Sequence, residues 1–459
     1  MIEMLSDEET WAEVTFGQVQ LHDMRRTRRA VKAASRMAHN ASASLPKQMQ
    51  THKETQAMYR FLDEEDVCYE ALMTPHWQAT RARAERQETV LLVQDTTQLD
   101  LSHRPKMQGL GQVGNQKGRG LLLQTVLAIV PHSREVLGCL MQEPFVRTPA
   151  PKGETRSQRR QRTERENAVW TRCVQRIGEA SEGTTYVHVG DRGADFFPFF
   201  EHCGDSQTQF LIRAAQNRRV ETEEEEDISY LLDEVRGWQS QDEQEKELPA
   251  SHGRKGRHTS LQLSWGAVKV RPPRNEPRRS REPLSLWAIR VWEEQTPEGE
   301  EPVEWILLTS VETTSLHQAW ERVGWYECRW IVEEYHQCLK TGCHIEERQV
   351  QTRDRLQRLL GLIAPLAVRL LWLRDQARRT PDLPISGSVE PAAIKIVAAK
   401  AHIAEQGMTM HQFWQGVAQM GGHQGRRLDG PPGWKTLWKG WYDLHMLLEG
   451  VQWAQQLQL

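Results

Sequence analysis

Cysteine is scarce in this chain, at seven residues in 459. The seven are odd in number and scattered, so they read as reduced thiols and not as a disulfide frame. Long apolar runs are lacking too. The longest, Leu359 to Leu373, spans about 15 residues and contains Pro365 and Arg369. That is too short and too interrupted for a hydrocarbon layer of about 30 Å, so no membrane partner is expected. The opening residues are acidic, without the apolar stretch of a secretory signal, which points to the cytoplasm. No sign of charge dominates: 59 Lys and Arg against 62 Asp and Glu leave a net charge of −3. This excludes a uniformly basic DNA-coating protein but leaves local basic faces open. At roughly 100–200 residues per domain, the length allows about three domains.

Patterning divides the chain into such parts. Residues 1–85 read as helical. Ser6 and Glu9 stand at capping-box spacing before Trp11, and Asp23 is placed to cap a second helix. On that helix Arg25, Arg28, Arg29, Lys32 and Arg36 gather towards one face and Ala30, Ala33, Ala34 and Met37 towards the other. Such a stripe is either a solvated face or a helix laid against phosphates. From residue 86 the period changes. Thr89–Gln94, Leu121–Val130, Val136–Met141 and Thr185–Val189 read as strands, with a helix at Glu164–Ile177. Residues 213–300 hold acidic and basic runs between further strand-like pieces, as a β-rich insertion would. The core resumes at Val303–Leu308 and a long helix is predicted from Ser315 to Leu339. Residues 356–459 read as helical. The last helix, from Trp434, places Leu437, Trp441, Leu444, Leu448 and Val451 in a seam suited to another helix, in its own domain or outside it. The predicted fold class is therefore α/β, with helical N-terminal and C-terminal parts.

Chemistry collects at three acidic residues. Asp95, in VLLVQDTT, and Asp191, in YVHVGDRGAD, are each expected to close a strand, which fixes a carboxylate while leaving its oxygens accessible. Tyr326, Arg329, Glu333 and Lys340 are offset by 3, 7 and 14 residues. On one ideal helix they fall in a stripe about 60° wide. Lys340 then lies about 10 Å beyond Glu333, too far to share a cation but well placed for a long polyanion. Two aspartates and a glutamate form an oxygen-only donor set, suited to Mg²⁺ or Mn²⁺. A pair of such ions serves phosphoryl transfer.

The spacing Tyr326-x2-Arg329-x3-Glu333-x6-Lys340 resembles the Tyr-Arg-Glu-Lys signature of bacterial DDE transposases, most closely the Tn-five branch and its insertion-sequence relatives. QDTTQL and DRGAD are similar to that family's two aspartate motifs. MRRTRR near the start, YRFL at Tyr59–Leu62 and WKTLWKGW near the end extend the likeness over nearly the whole chain. The resemblance implies an RNase H-like core interrupted by a β-rich insertion, a helical end-binding domain before it and a helical dimerisation domain after it. It implies cut-and-paste transposition of double-stranded DNA, with a nick, a hairpin on the transposon end, reopening, and joining of the 3′-ends to target DNA. It also implies a bacterial, nucleoid-associated protein acting as a homodimer on paired ends. Carried over residue by residue, Asp95, Asp191 and Glu333 hold the metal ions, two per site. Tyr326, Arg329 and Lys340 hold phosphates, and Trp305 stacks on a flipped base. Arg213, Arg25, Arg26 and Arg29 contact DNA. Gly193, Ala214, Ala215 and Gln337 depart from the family pattern and bear on recognition of the end sequence.

Two other motifs carry little weight. Gly109, Gly111 and Gly114 spell G-x-G-x-x-G, but loop is expected on both sides instead of a strand and a helix. His336, Cys338, Cys343 and His344 suggest zinc only weakly, because His336 and Cys338 do not share a helix face. The basic run Arg156–Arg165 reads equally as a DNA contact or a solvated linker. The alternatives to a transposase are a metal-dependent nuclease that does not join strands and a DNA-binding regulator of transposition.

Overall fold

The computed structural model describes residues 7–114, 118–148, 166–221, 228–248, 256–273, 282–387, 389–426 and 432–457, together with 151, 153–155 and 158. Ser6, most of the 156–165 run, the acidic run at 222–227, and the basic stretches at 254–255 and 274–281 lie outside the described residues.

The N-terminal part consists of helices α1 (Glu8–Phe16), α2 (Met24–His39), α3 (Leu45–Met49), α4 (His52–Asp63) and α5 (Tyr69–Ala84). Asp7 caps α1: its carboxylate accepts from the Glu9 and Thr10 N–H groups. Asp23 caps α2 as expected, accepting from the Arg25 N–H. Ala30, Ala33, Ala34 and Met37 are buried, so α2 packs through its small residues.

A mixed sheet follows. β1 (Thr89–Asp100) pairs antiparallel with β3 (Gly118–Val130), and β3 with β4 (Glu135–Phe145). β2 (Gly111–Val113) adds to the start of β3 as a hairpin, so the glycines of G-x-G-x-x-G flank a strand and open no helix. β1 pairs in parallel with β5 (Thr185–Gly190), and β5 with β6 (Gln209–Arg213). The order β4-β3-β1-β5-β6, three antiparallel strands followed by two parallel ones, is consistent with an RNase H-like DDE domain. Side chains of β1 alternate between two cores. Val90 and Leu92 face α6 (Ala168–Ile177) and α7 (Phe197–Asp205), while Leu91 and Val93 face the helices on the other side.

The sheet does not stop at β6. β7 (Arg219–Glu221), β8 (Ile228–Tyr230), a short α8 (Leu231–Gly237), β9 (Asp242–Leu248), β10 (Arg257–Val270) and β11 (Leu284–Glu293) come next. They join through β12 (Glu304–Thr309), which pairs with both β11 and β6. The strand-like pieces expected between residues 213 and 300 thus extend the same hydrogen-bonded sheet.

The helix predicted from Ser315 to Leu339 is not one continuous helix. Ser315 caps α9 (Leu316–Glu327), and α10 (Trp330–Gln337) follows after a tightened turn. There the Cys328, Arg329 and Val332 N–H groups each bond to the carbonyl three residues back. Cys338–Gly342 then opens into a π-helical turn, with the Cys343 N–H bonded to the Cys338 carbonyl. The long α11 (Arg353–Arg379) crosses behind, and its apolar residues Leu356 to Trp372 are buried in the core.

The C-terminal part holds α12 (Pro391–Ala401), α13 (Met410–Met420) and α14 (Trp434–Gln456). The seam expected on the last helix turns inward. Leu437, Leu444 and Leu448 are buried with residues of α12 and α13, and Trp441 stacks on Trp414 at 5.2 Å. Val451 remains exposed. So do Tyr442, Met446, Trp453 and Leu457, whose 4-7-4 spacing lies along another face of α14. No helix among the described residues is long and apolar enough to cross a membrane.

Candidate active site

Asp95 does not close its strand. β1 continues to Asp100 because its polar tail still pairs with β3, and Asp95 stands opposite Thr125. What ends near Asp95 is the parallel ladder with β5, whose last pair is Val93 with Val189. Asp191 lies immediately after β5, as expected, and its Oδ1 accepts from the Gly193 N–H at 2.7 Å. A Cβ at position 193 would sit 2.9 Å from that oxygen, so glycine here leaves the Asp191 carboxylate uncrowded. The second aspartate of DRGAD does different work. Asp195 is buried, pairs with Arg218 and accepts from the Ala215 and Gln216 N–H groups, which fixes the chain leaving β6.

Glu333 approaches Asp95 from α10. Ligand atoms of Asp95, Glu333 and His336 all lie within 4.8 Å of one another. Burial, then the charges of Glu333 and Asp191, push the Asp95 carboxyl up to about 7, against the opposing pull of Arg329. Asp191 is thus close enough to act on Asp95, though outside the tightest group. Arg329 bonds to Glu333 at 3.3 Å. Burial disfavours its charge, but Tyr326, Asp95 and Glu333 outweigh burial and raise its pKa.

Around the carboxylates the structure gathers other residues anticipated from the sequence. Trp305, half-buried on β12, meets Tyr326 edge to face at 5.2 Å. The Arg213 guanidinium donates to the Glu304 carbonyl at 2.8 Å. Burial, then Arg192, lowers its pKa, so two guanidiniums crowd this corner. Burial raises the Tyr326 phenol, while Arg329 and Arg213 pull it back. Lys340 stands apart on the π-helical turn, where its charge acts on Asp100 and His336.

The N-terminal arginines are engaged within the protein. Arg25 chelates Asp23, Arg26 bridges Glu64 and Asp66, and Arg29 pairs with Glu54. Lys32 and Arg36 also converge on Glu54, so much of the basic stripe is neutralised locally.

Sequence reasoning missed two residues at this site. Arg192 sits inside DRGAD and was open to notice. His336 was weighed only against cysteines, yet Glu333 and His336 are at i, i+3 on α10, the spacing that puts two ligands on one helix face. His336 is buried, and burial, then Lys340, lowers its pKa to about 3, so the ring is neutral.

Two carboxylates at the sheet and one on α10, with guanidiniums and an aromatic pair beside them, offer oxygen donors to a hard cation and positive charge to a phosphodiester. Two family models match the chain. Residues 8–67 match the transposase DNA-binding family, and residues 160–369 match the transposase DDE domain. The chain is a DDE transposase, a metal-dependent enzyme that cuts and transfers DNA, with a DNA-binding module ahead of its catalytic domain. Asp191, Arg213, Trp305 and the Tyr326–Lys340 segment lie inside the DDE match, whereas Asp95 lies between the two matched segments.

The raised Asp95 carboxyl sets a pH dependence. In metal-free protein its contribution to stability is complete below the ordinary value of 3.8 and is lost as pH rises through about 7. Asp95→Asn, neutral throughout, should melt above the parent at about pH 8 in chelator, with the gap closing towards about pH 5. Equal melting temperatures across that range would show that burial and neighbouring charge do not raise the Asp95 carboxyl.

Proposed function

We propose that this enzyme is a cut-and-paste transposase of the Tn-five kind, with Asp95, Asp191 and Glu333 as its catalytic, metal-holding carboxylates. The observation that carries the reading is the meeting of the half-buried Asp95 with Glu333, ligand oxygens of the two lying within 4.8 Å of each other, which leaves paired acids in need of positive charge. The donors fit a hard divalent ion: Asp95 and Glu333 bring carboxylate oxygens within 4.8 Å of each other. Mg²⁺ or Mn²⁺, two per site, would supply the charge that activates the attacking oxygen and offsets the leaving one.

The chain's own residues account for the order of steps. A water oxygen attacks the phosphorus at the transposon end, and the 3′-oxygen leaves as a hydroxyl. That hydroxyl attacks a phosphorus of the opposite strand and displaces the 3′-oxygen of the flanking DNA, which leaves as a hydroxyl, to give the hairpin. Tyr326, Arg329 and Lys340 hold the phosphates in place, with Arg213 beside them. A tight hairpin takes a base out of the stack, and Trp305, held edge-on by Tyr326, offers the face that receives it. Water reopens the hairpin, and the 3′-end then joins target DNA.

In this reading residues 1–85 bind the ends, with Arg25, Arg26 and Arg29 exchanging internal carboxylates for phosphates. Residues 86–355 form the catalytic core, with 213–300 as its β-rich insertion, and 356–459 form the dimerisation domain. The homodimer forms through the exposed Tyr442, Met446, Trp453 and Leu457 face of α14, since the inner seam is already filled. The protein works at the bacterial nucleoid.

Purified protein, Mg²⁺ and a linear DNA carrying the ends of its own element test the reading on a denaturing gel. Asp95→Ala, Asp191→Ala and Glu333→Ala should each abolish nicks and hairpins while DNA binding persists. Retained nicking in any of them removes that residue from the site, and nicks without hairpins in the parent favour a nuclease. Trp305→Ala should slow hairpin formation about fivefold or more beyond any effect on the first nick, because the lost stacking is about 1–3 kcal/mol. Equal slowing of both steps would refute the flipping role. Met446→Glu combined with Trp453→Glu should remove paired-end complexes from a native gel and spare single-end binding. Persistence of paired complexes would place the dimer contact elsewhere.

A further inference from the structure

The His336 ring uses only one of its nitrogens. Nε2 lies 3.0 Å from the Thr125 Oγ1, while Nδ1 is buried with no hydrogen-bond partner and faces the Asp95 Oδ2 at 3.9 Å. Behind Thr125 runs a buried chain of polar groups. The Gln142 amide nitrogen donates to the Thr125 Oγ1 at 3.0 Å and to the Tyr335 hydroxyl at 2.9 Å. The Tyr69 hydroxyl, from α5, donates to the Gln142 amide oxygen at 2.8 Å. Thr125, Gln142, Tyr335 and Tyr69 are all buried, so water does not complete these bonds.

The chain has a direction. Both amide hydrogens of Gln142 are committed, one to Thr125 and one to Tyr335. The Thr125 oxygen therefore accepts from Gln142, and among the described residues the one remaining partner for its own hydrogen is His336 Nε2. Nε2 is then an acceptor, and the single proton of the ring sits on Nδ1, the atom that faces Asp95. With Asp95 ionised, the opposite arrangement would aim a lone pair at its carboxylate oxygen, which costs free energy.

Resting on the carboxylate reading above, we infer that His336 is a positioning residue: its Nδ1–H holds Oδ2 of Asp95, leaving the other oxygen free for the cation. The pair is about 1 Å longer than a hydrogen bond, within reach of a small side-chain rotation. Groups of this kind, behind a ligand, typically change metal affinity or activity by about 10–100-fold when removed.

The first test reads the proton itself. Nitrogen-15 NMR of metal-free protein labelled at histidine, recorded at alkaline pH where Asp95 is ionised and with His336→Asn to assign the signal, should show the proton on Nδ1. A proton on Nε2 overturns the inference. The second test uses Mn²⁺ as the probe. Electron spin-echo spectra should show no histidine nitrogen bound directly to the ion; a directly bound nitrogen would make His336 a ligand instead. The third compares variants. His336→Leu should lower cleavage and Mn²⁺ affinity about 10–100-fold with single-end DNA binding unchanged. His336→Asn, which keeps an N–H at the Nδ1 position, should recover most of the loss. Parent-like cleavage by His336→Leu, or no recovery with asparagine, overturns the role. Should the leucine variant not fold, Thr125→Val removes the bond to Nε2 and should show the same defect more weakly; parent-like behaviour there also overturns it. Asp95→Ala and Glu333→Ala run alongside: if they still cleave, the carboxylate reading has failed, and if only His336→Leu behaves like the parent, the positioning role alone has failed.

Discussion

The parallel pairing of β1 with β5 is the constraint on which the candidate site depends. Their last paired residues are Val93 and Val189, and Asp95 and Asp191 each lie two positions further on. One register therefore brings the two carboxylates side by side at the point where the parallel ladder stops. The alternation that buries Val90 and Leu92 on one face and Leu91 and Val93 on the other enforces that register, because a one-residue slip would exchange the cores. The carboxylates are close because apolar side chains on both faces require it, and their mutual repulsion is the electrostatic cost. The third acid arrives from a helix packed on one of those faces, so sheet register and helix docking both set the Asp95 environment.

Much of this was legible in the sequence. The β-branched run at Thr89, the alanine face of α2 and the acids at Asp95, Asp191 and Glu333 are local signals whose periods survive folding. Other features are settled by tertiary contacts that no local pattern carries. Asp95 looked like a strand end because its polar neighbours resemble a turn, whereas β3 supplies partners as far as Asp100. The Tyr326–Lys340 stripe was drawn on an ideal helix. The chain instead tightens near Arg329 and loosens at Cys338–Gly342, and Lys340 ends beside Asp100. The seam of α14 was readable as a seam, but only the packed bundle shows that α12 and α13 fill it. His336 escaped notice because a histidine next to cysteines invites a zinc reading, while its real neighbours, Thr125 and Asp95, are some two hundred residues away in the chain.

The N-terminal arginines show how charge can be present yet already committed. Arg29, Lys32 and Arg36 converge on Glu54, and the hydrogen bonds from Lys32 and Arg29 hold it at about 2, well below the usual carboxylate range. A phosphate that engages this face competes with a carboxylate already in place. Such exchange lowers the net gain from each contact and softens the dependence on salt, because the displaced, partly exposed ion pair is itself weakened by salt.

The sheet has a mechanical meaning as well. From β4 to β10 every strand is tied to the next by backbone hydrogen bonds, and β12 couples the 214–303 region directly to β6, the neighbour of the strand that ends at Asp191. Force applied to β10 or β11 is carried through shear of those bonds into the frame that holds the carboxylates. This region is therefore a buttress and not a hinged flap. Displacing β10 or β11 from that frame therefore requires breaking the ladder between β12 and β6.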